Sequence, residues 1–327
     1  MEKSLKELIA YKRLVEKKSW EEVLAEVRDC FPSDMPDLKI YRQLRYCIES
    51  TNKKVVCKSK ETEKPKKIEV VQNMEPSVVN NAWAGSQKIV FALMGDTQIN
   101  SKYTQLTHLH TFYDIVHQRG IKDVYHTGDI DEGEQMRIGH QYECYNQGAD
   151  AHKEEIVRVY PQRGGVTTHF ITGNHDASMI KRLGFDIGAA IAKDRSDMEY
   201  LGADCAKIML TPNCSLELRH PWDGTAYAIS YKTQRMIDST AVEDRPTISA
   251  TGHYHKAEYI FYQNVHCFQT GCFQAQTPFM KGKQIAAHMG GWIVSVEVGT
   301  NGEILSIQQE FIPFYKAIKD DYKNWSK

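Results

Sequence analysis

The chain has 327 residues, 41% of them hydrophobic and 25% charged, with a formal net charge of −1. That length allows one large domain plus a small one with a sizeable core, and the near-neutral balance excludes any argument for a partner from whole-chain charge. An apolar run of about 18 residues is absent, which excludes a membrane-spanning helix, and the eight cysteines show neither a C-x-x-C pair nor a framework spacing, so reduced thiols in a soluble cytoplasmic protein are expected.

Met1-Glu2-Lys3-Ser4 starts a polar helix rather than a signal peptide, with Leu5, Leu8, Ile9, Leu14 and Val15 at helical spacing. Ser19 stands three residues before Glu22, a capping box that opens a second helix. After the break at Phe31-Pro32, Asp37 caps a third helix that carries Leu38, Ile40, Tyr41, Leu44 and Ile48. Residues 1–50 thus read as a small helical domain of helix-turn-helix type, with Lys39, Arg42 and Arg45 on its third helix. A basic linker over 51–87 follows, and its first part, 51–67, holds seven lysines against two acids. Residues 1–67 are a candidate contact for DNA or RNA; the alternatives are a cap on the main domain or a dimer interface.

The main domain is expected over 88–327. Ile89-Val90-Phe91-Ala92-Leu93-Met94 is a continuous apolar run, the pattern of a strand covered on both faces, and it ends in Gly95-Asp96-Thr97-Gln98. Leu106, Leu109, Phe112, Tyr113 and Val116 lie on one face of a following helix, after which Asp123-Val124-Tyr125-His126 runs into Gly128-Asp129. Residues 134–165 are irregular apart from a helix near 150–160 and are placed to roof a site. Val166-Thr167-Thr168-His169-Phe170-Ile171 reads as a strand that breaks at Gly173-Asn174-His175-Asp176. A helix over 187–192, short strands, a strand at Leu216-Glu217-Leu218-Arg219 ending in His220, and a strand at 247–251 delivering Gly252-His253-Tyr254-His255 come next. The tail reads as a hairpin, 292–298 and 304–311, turning at Asn301-Gly302.

Asp96, Gln98, Asp129, Asn174, His175, His220, His253 and His255 all follow apolar strand patterns, and strand C-terminal ends are where open α/β sheets hold ligands. Their oxygen and imidazole donors, without thiolates, suit Mn²⁺, Fe, Zn²⁺ or Ni²⁺ better than Ca²⁺ or Mg²⁺ alone. They are too many for one tetrahedral ion and fit two ions sharing a carboxylate. His253 and His255, two apart on an extended segment, would point their rings to one side. His108, His110, His117, His140, His152, His266 and His288 have no such pattern and read as surface or satisfied core residues, whereas His126 and His169 lie on strands near the site.

The ordered run Asp96-Thr97-Gln98, Gly128-Asp129-Ile130-Asp131-Glu132, Gly173-Asn174-His175-Asp176, His220 and Gly252-His253-Tyr254-His255 resembles the calcineurin-like metallophosphoesterases. The phrasing around these motifs, including Ala226-Tyr227-Ala228-Ile229-Ser230-Tyr231, is similar to phage and prophage members, which implies a bacterial host cytoplasm. The resemblance spans about residues 88–275 and implies a four-layer αββα sandwich. It also implies one metal on Asp96, Gln98, Asp129 and His255, and a second on Asp129, Asn174, His220 and His253, with a bridging hydroxide as nucleophile. Mn²⁺ is the leading candidate for both. His175 then assists the leaving group and Asp176 orients its ring. Two positions depart from the family's pattern: Gln98 stands where a histidine is usual, and Glu132 where an Asp or Asn is usual. The implied activity is a phosphodiesterase acting on nucleic acid or nucleotides; the alternatives are a phosphomonoesterase or nucleotide pyrophosphatase, and a nucleic-acid-binding protein with a weakened metal site.

Overall fold

Residues 12, 19–31, 36, 40, 77–81 and 83–325 are described in the computed structural model, which divides into two compact units, Met1–Gln72 and Asn73–Lys327. In the first unit the expected capping box is present. Helix α1 (Trp20–Val27) starts at Ser19, whose Oγ accepts from the Glu22 N–H at 3.2 Å while the Glu22 carboxylate accepts from the Ser19 N–H at 2.6 Å. Val23, Leu24 and Val27 form its buried face. The expected third helix with Lys39, Arg42 and Arg45, and the lysine segment 51–67, lie outside the described residues, apart from Ile40.

The second unit is built on strand β2 (Lys88–Met94). Its apolar run is covered on both sides, as a central strand requires: Phe91 and Leu93 face one core, and Ala92 and Met94 the other. Around it run β3 (Asp123–His126), β4 (Thr167–Thr172), β5 (Met198–Ala203), β11 (Gly290–Val298) and β12 (Ile304–Pro313), in a six-stranded sheet of order β12-β11-β2-β3-β4-β5. A second six-stranded sheet has the order β1-β6-β7-β8-β10-β9, from β1 (Ser77–Asn80), β6 (Cys205–Thr211), β7 (Cys214–Arg219), β8 (Ile248–Thr251), β9 (Ala257–Tyr262) and β10 (Val265–Thr270). Phe91, Leu93 and Tyr125 of the first sheet meet Ile208, Leu216, Leu218 and Phe268 of the second in one core, so the sheets pack face to face.

Helices cover the outer faces. Leu109, Phe112 and Val116 of α2 (Leu106–Gln118), Ile156 and Val159 of α3 (Ala149–Val159), and Ile191 of α5 (Ile187–Asp194) pack on the first sheet, while the short helix α4 (Ala177–Leu183) follows the β4 turn. Ile237 of α6 (Tyr231–Ser239) packs on Val265 and Cys267 of the second sheet. This is the expected four-layer αββα sandwich. Among the described residues, no helix is long and apolar enough to cross a membrane.

Some elements differ from the sequence reading. Strand β1 pairs in parallel with β6, so the second unit reaches upstream of residue 88 into the segment read as linker. The β9–β10 hairpin was not expected, because its turn is made by Gln263 and Asn264 (φ 47° and 64°) without a glycine to mark it. Helix α3 packs into the core rather than roofing a site; of residues 134–165, Met136 and Arg137 line the cavity described below.

Candidate metal centre

Parallel pairing brings the motifs to one place. Strands β2, β3 and β4 are parallel neighbours, and the pairing continues beyond their ends: the Asp96 N–H donates to the Gly128 carbonyl (3.0 Å) and the Gln98 N–H to the Asp129 carbonyl (3.1 Å). In the second sheet β7 and β8 are parallel with Arg219 opposite Thr251, so His220 and Gly252-His253 leave at the same level. The ends of five strands from two sheets therefore converge, as the ligand rule for parallel strands anticipates.

The seven expected ligands come together there. His220 sits between Thr127, Asn174 and Asp129: its Nδ1 donates to the Thr127 carbonyl (2.7 Å), and its Nε2 lies 3.0 Å from Asn174 Oδ1 and 3.2 Å from Asp129 Oδ2. The His253 ring is 5.3 Å from the His220 ring, centroid to centroid. Gln98 Nε2 donates to Asp129 Oδ2 at 3.1 Å, and His255 Nε2 lies 3.4 Å from Asp96 Oδ1. Both Asp96 carboxylate oxygens accept from the His253 N–H, at 3.1 and 2.9 Å, which ties the first motif to the last. Asp96, Gln98, Asp129 and His220 are at most 2% exposed.

The backbone here is unusual. Asp96, Gln98, Asp129, His253 and His255 all have positive φ, between 48° and 74°. Non-glycine residues rarely adopt this region, and such residues concentrate at functional sites. It also corrects one expectation: the 253–255 segment is not extended, and the two rings turn to different partners, His253 Nε2 donating to the Asp223 carbonyl (2.6 Å) and His255 Nε2 facing Asp96 Oδ1. At Gly128 (φ 95°) a Cβ would stand 2.7 Å from His220 Nδ1, so the Gly-Asp turn closes around the imidazole only with glycine.

Three observations test whether these residues fit a metal. His220 Nε2 stands within reach of two oxygens, Asn174 Oδ1 and Asp129 Oδ2. Gln98 Oε1 and His255 Nδ1 are buried and, among the described residues, have no hydrogen-bond partner. Asp129, His220 and His253 bring ligand atoms within 4.8 Å of one another. Buried polar atoms without a partner are costly, and a cation among them would answer them. The donor set therefore fits divalent metal. Burial alone would lower the His220 pKa, but the Asp129 carboxylate beside it pushes it up to about 9. Burial opposes the charge on Asp129, yet His220 and His175 hold its carboxyl well below the usual carboxylate range. Burial and the neighbouring His220 push His253 down.

The residues expected to act in chemistry are arranged differently from the sequence reading. His175 donates its backbone N–H to Asp129 Oδ1 (2.8 Å), and its ring Nδ1 lies 2.6 Å from the carbonyl of Glu132, not against Asp176. Asp176 is buried and accepts from three backbone N–H groups: Asp131 (2.8 Å), Gly173 (2.8 Å) and Ile130 (3.3 Å). It pins two motif turns together rather than orienting the imidazole, because its side chain folds back beneath the turn that carries it. Glu132 is only 1% exposed; its carboxylate accepts from His140 Nε2 (2.8 Å) and Gln274 Nε2 (2.6 Å). His140 and Gln274 carried no signal in sequence, since neither belongs to a motif.

The remaining histidines are satisfied elsewhere. His126 is fully buried below the site, its Nδ1 accepting from the Gly128 N–H (3.1 Å), and burial pushes its pKa down to about 3. His169 bridges Asp123 (2.9 Å) and Glu199 (2.7 Å) away from the strand ends. His152 Nδ1 lies 2.8 Å from both oxygens of Asp131, as a core pair.

No family model and no curated protein matches the chain. Solved structures to which it is similar include an archaeal phosphodiesterase (11% identity, TM-score 0.39, covering 68% of this chain and 100% of that one). Another is a predicted phosphoesterase from Streptococcus pneumoniae (13%, 0.35, 69% and 99%). A third is Vps29 from Entamoeba histolytica, complexed with zinc (14%, 0.32, 69% and 99%). At these values the likeness assigns no residue, and the site rests on its own contacts.

Proposed function

We propose that this protein is a two-metal-dependent phosphoesterase, acting on phosphodiesters of nucleic acid or nucleotides. The observation that carries this is that Asp129, His220 and His253 bring ligand atoms within 4.8 Å of one another, beside Gln98 Oε1 and His255 Nδ1, which are buried and without a partner among the described residues. Asp96, Gln98, Asp129 and His255 would hold one ion and Asp129, Asn174, His220 and His253 the other. When bound, such a pair lowers the pKa of water and neutralises charge on a phosphate.

The chain's own residues supply the rest. Asp129 is central, since Oδ2 faces Gln98 and His220 while Oδ1 accepts the His175 N–H. That last bond sets the position of His175 relative to the ligands. With Nδ1 directed at the Glu132 carbonyl, Nε2 is the ring nitrogen left to exchange a proton with a leaving oxygen. Residues 1–67 we assign to contact with nucleic acid, on the strength of the seven lysines in 51–67. A fragment starting near residue 73 should then bind DNA more weakly than the whole chain while hydrolysing a small diester.

Metal analysis after reconstitution with Mn²⁺, together with rates on bis-nitrophenyl and nitrophenyl phosphate, tests the reading. Two ions per chain and a faster diester reaction are expected, and Asp129→Asn should lose both metal and activity. At most one ion in the wild-type chain would overturn it.

A further inference from the structure

Beside the candidate ligands lies a cavity of about 310 Å³, at the small end of the ligand-pocket range of roughly 300–1,000 Å³. Gln98, Asp129, Asn174, His175 and His253 line one side, and the other is predominantly apolar, formed by Met136, Phe279, Met280 and Ile285. The apolar side is held in place before any ligand arrives. Helix α7 (Pro278–Gly282) is N-capped by Thr277, whose Oγ1 accepts from the Met280 N–H at 3.2 Å, and the Ile285 N–H donates to the Met280 carbonyl at 2.9 Å. Phe279, the second residue of that helix, has the guanidinium of Arg137 4.4 Å from its ring centroid, yet stays 42% exposed. An arginine over a partly exposed ring makes a flat platform of the kind on which bases stack.

Charge narrows the occupant. Among the described residues lining the cavity, Arg137 is the only lysine or arginine, and it is already paired with Glu143; of the acids, Glu132 is held by His140 and Gln274, and Asp223 by Lys232 and Tyr254. Sites that follow a nucleic-acid backbone line their grooves with cations. The space beside the candidate ligands thus suits an uncharged planar group, and it is too small to enclose a duplex.

We propose that Phe279, backed by Arg137, is the stacking platform for a single nucleobase, so that the substrate is a mononucleotide ester or a single-stranded end rather than duplex nucleic acid. This deepens the phosphoesterase reading and rests on it. The test is calorimetric titration of the full-length, Mn²⁺-loaded protein with adenosine 5′-monophosphate, ribose 5-phosphate and inorganic phosphate, with turnover followed by phosphate release. The adenosine compound should bind about tenfold more tightly than ribose 5-phosphate, a ratio in the range of base–aromatic stacking. Phe279→Ala should remove that preference and Phe279→Trp should keep it. Equal affinities in the wild type, or a preference that survives Phe279→Ala, would overturn the platform while phosphate binding leaves the phosphoesterase reading standing. If none of the three ligands binds, both fail together.

Discussion

The carbonyl of Glu132 lies 2.6 Å from Nδ1 of His175, so the main chain of one motif aims the imidazole of the next. The Glu132 side chain cannot serve that purpose, since His140 and Gln274 hold its buried carboxylate. His175→Ala should therefore keep the metal content and lower kcat by about 10²–10⁴-fold, the range for a lost general acid. Gln274→Leu should loosen Glu132 and displace that carbonyl, lowering kcat by up to about 10²-fold, the penalty for a misplacement near 1 Å, with metal retained. Parallel metal loss in either variant would show that the residue acts on the ions instead.

Gln98 offers an amide oxygen, which carries no charge and is less basic than an imidazole. Its Oε1 is buried and has no partner among the described residues, while its Nε2 is engaged with Asp129. Gln98→His should tighten binding of one ion and reduce the Mn²⁺ concentration needed for half-maximal activity. A titration curve that does not move would remove Gln98 from the ligand set.

Asp176 is predicted to act on stability. Removing its carboxylate by Asp176→Ala leaves the backbone N–H groups of Ile130, Asp131 and Gly173 without their acceptor. A buried donor left unsatisfied costs about 1–3 kcal/mol. The variant should melt several degrees lower even with metal chelated. An unchanged melting temperature with a reduced kcat would restore the role of orienting His175.

The His152–Asp131 pair predicts a pH dependence. Burial alone would lower the His152 pKa, but the Asp131 carboxylate beside it raises it above the ordinary value of 6.5. A histidine whose folded pKa is raised contributes stability that is fully present below about 6.5 and is lost as pH rises through the higher folded value. Wild-type stability should thus decline on the alkaline side of neutrality, and His152→Gln should lack that part of the slope. Replacing His152 should also be destabilising in acidic buffer, because only the Asn100 Nδ2 donor, 2.7 Å away, would then answer the buried Asp131 side chain. Chemical unfolding of metal-free protein at several pH values measures both.

The strands and their Gly-Asp, Gly-Asn-His and Gly-His-x-His breaks were legible because local chemistry marks them: a continuous apolar run, then a glycine where the chain packs against an imidazole. Convergence was legible too, since βα alternation forces parallel neighbours and brings their ends together. What the pattern could not show is settled by tertiary contact. Glu132 meets Gln274 across 142 residues of sequence, and no periodicity encodes that meeting. Asp176 was misread because adjacency to His175 along the chain does not say which way a buried carboxylate turns. The apolar wall at 277–285 was passed over because five helical residues and a loop carry no amphipathic signal.

The left-handed backbone at Asp96, Gln98, Asp129, His253 and His255 sets two energetic demands against each other. Each such residue holds its chain in a conformation worth about 1–3 kcal/mol of strain, which a glycine would relieve. A glycine at Asp96 or Asp129 would also strip the acceptor from the partly buried His253 or His175 N–H, a loss of about 1–3 kcal/mol that offsets the relief. The carboxylates that the strained turns present are the same groups that hold those turns in shape, so conformation and side chain cannot be given up separately.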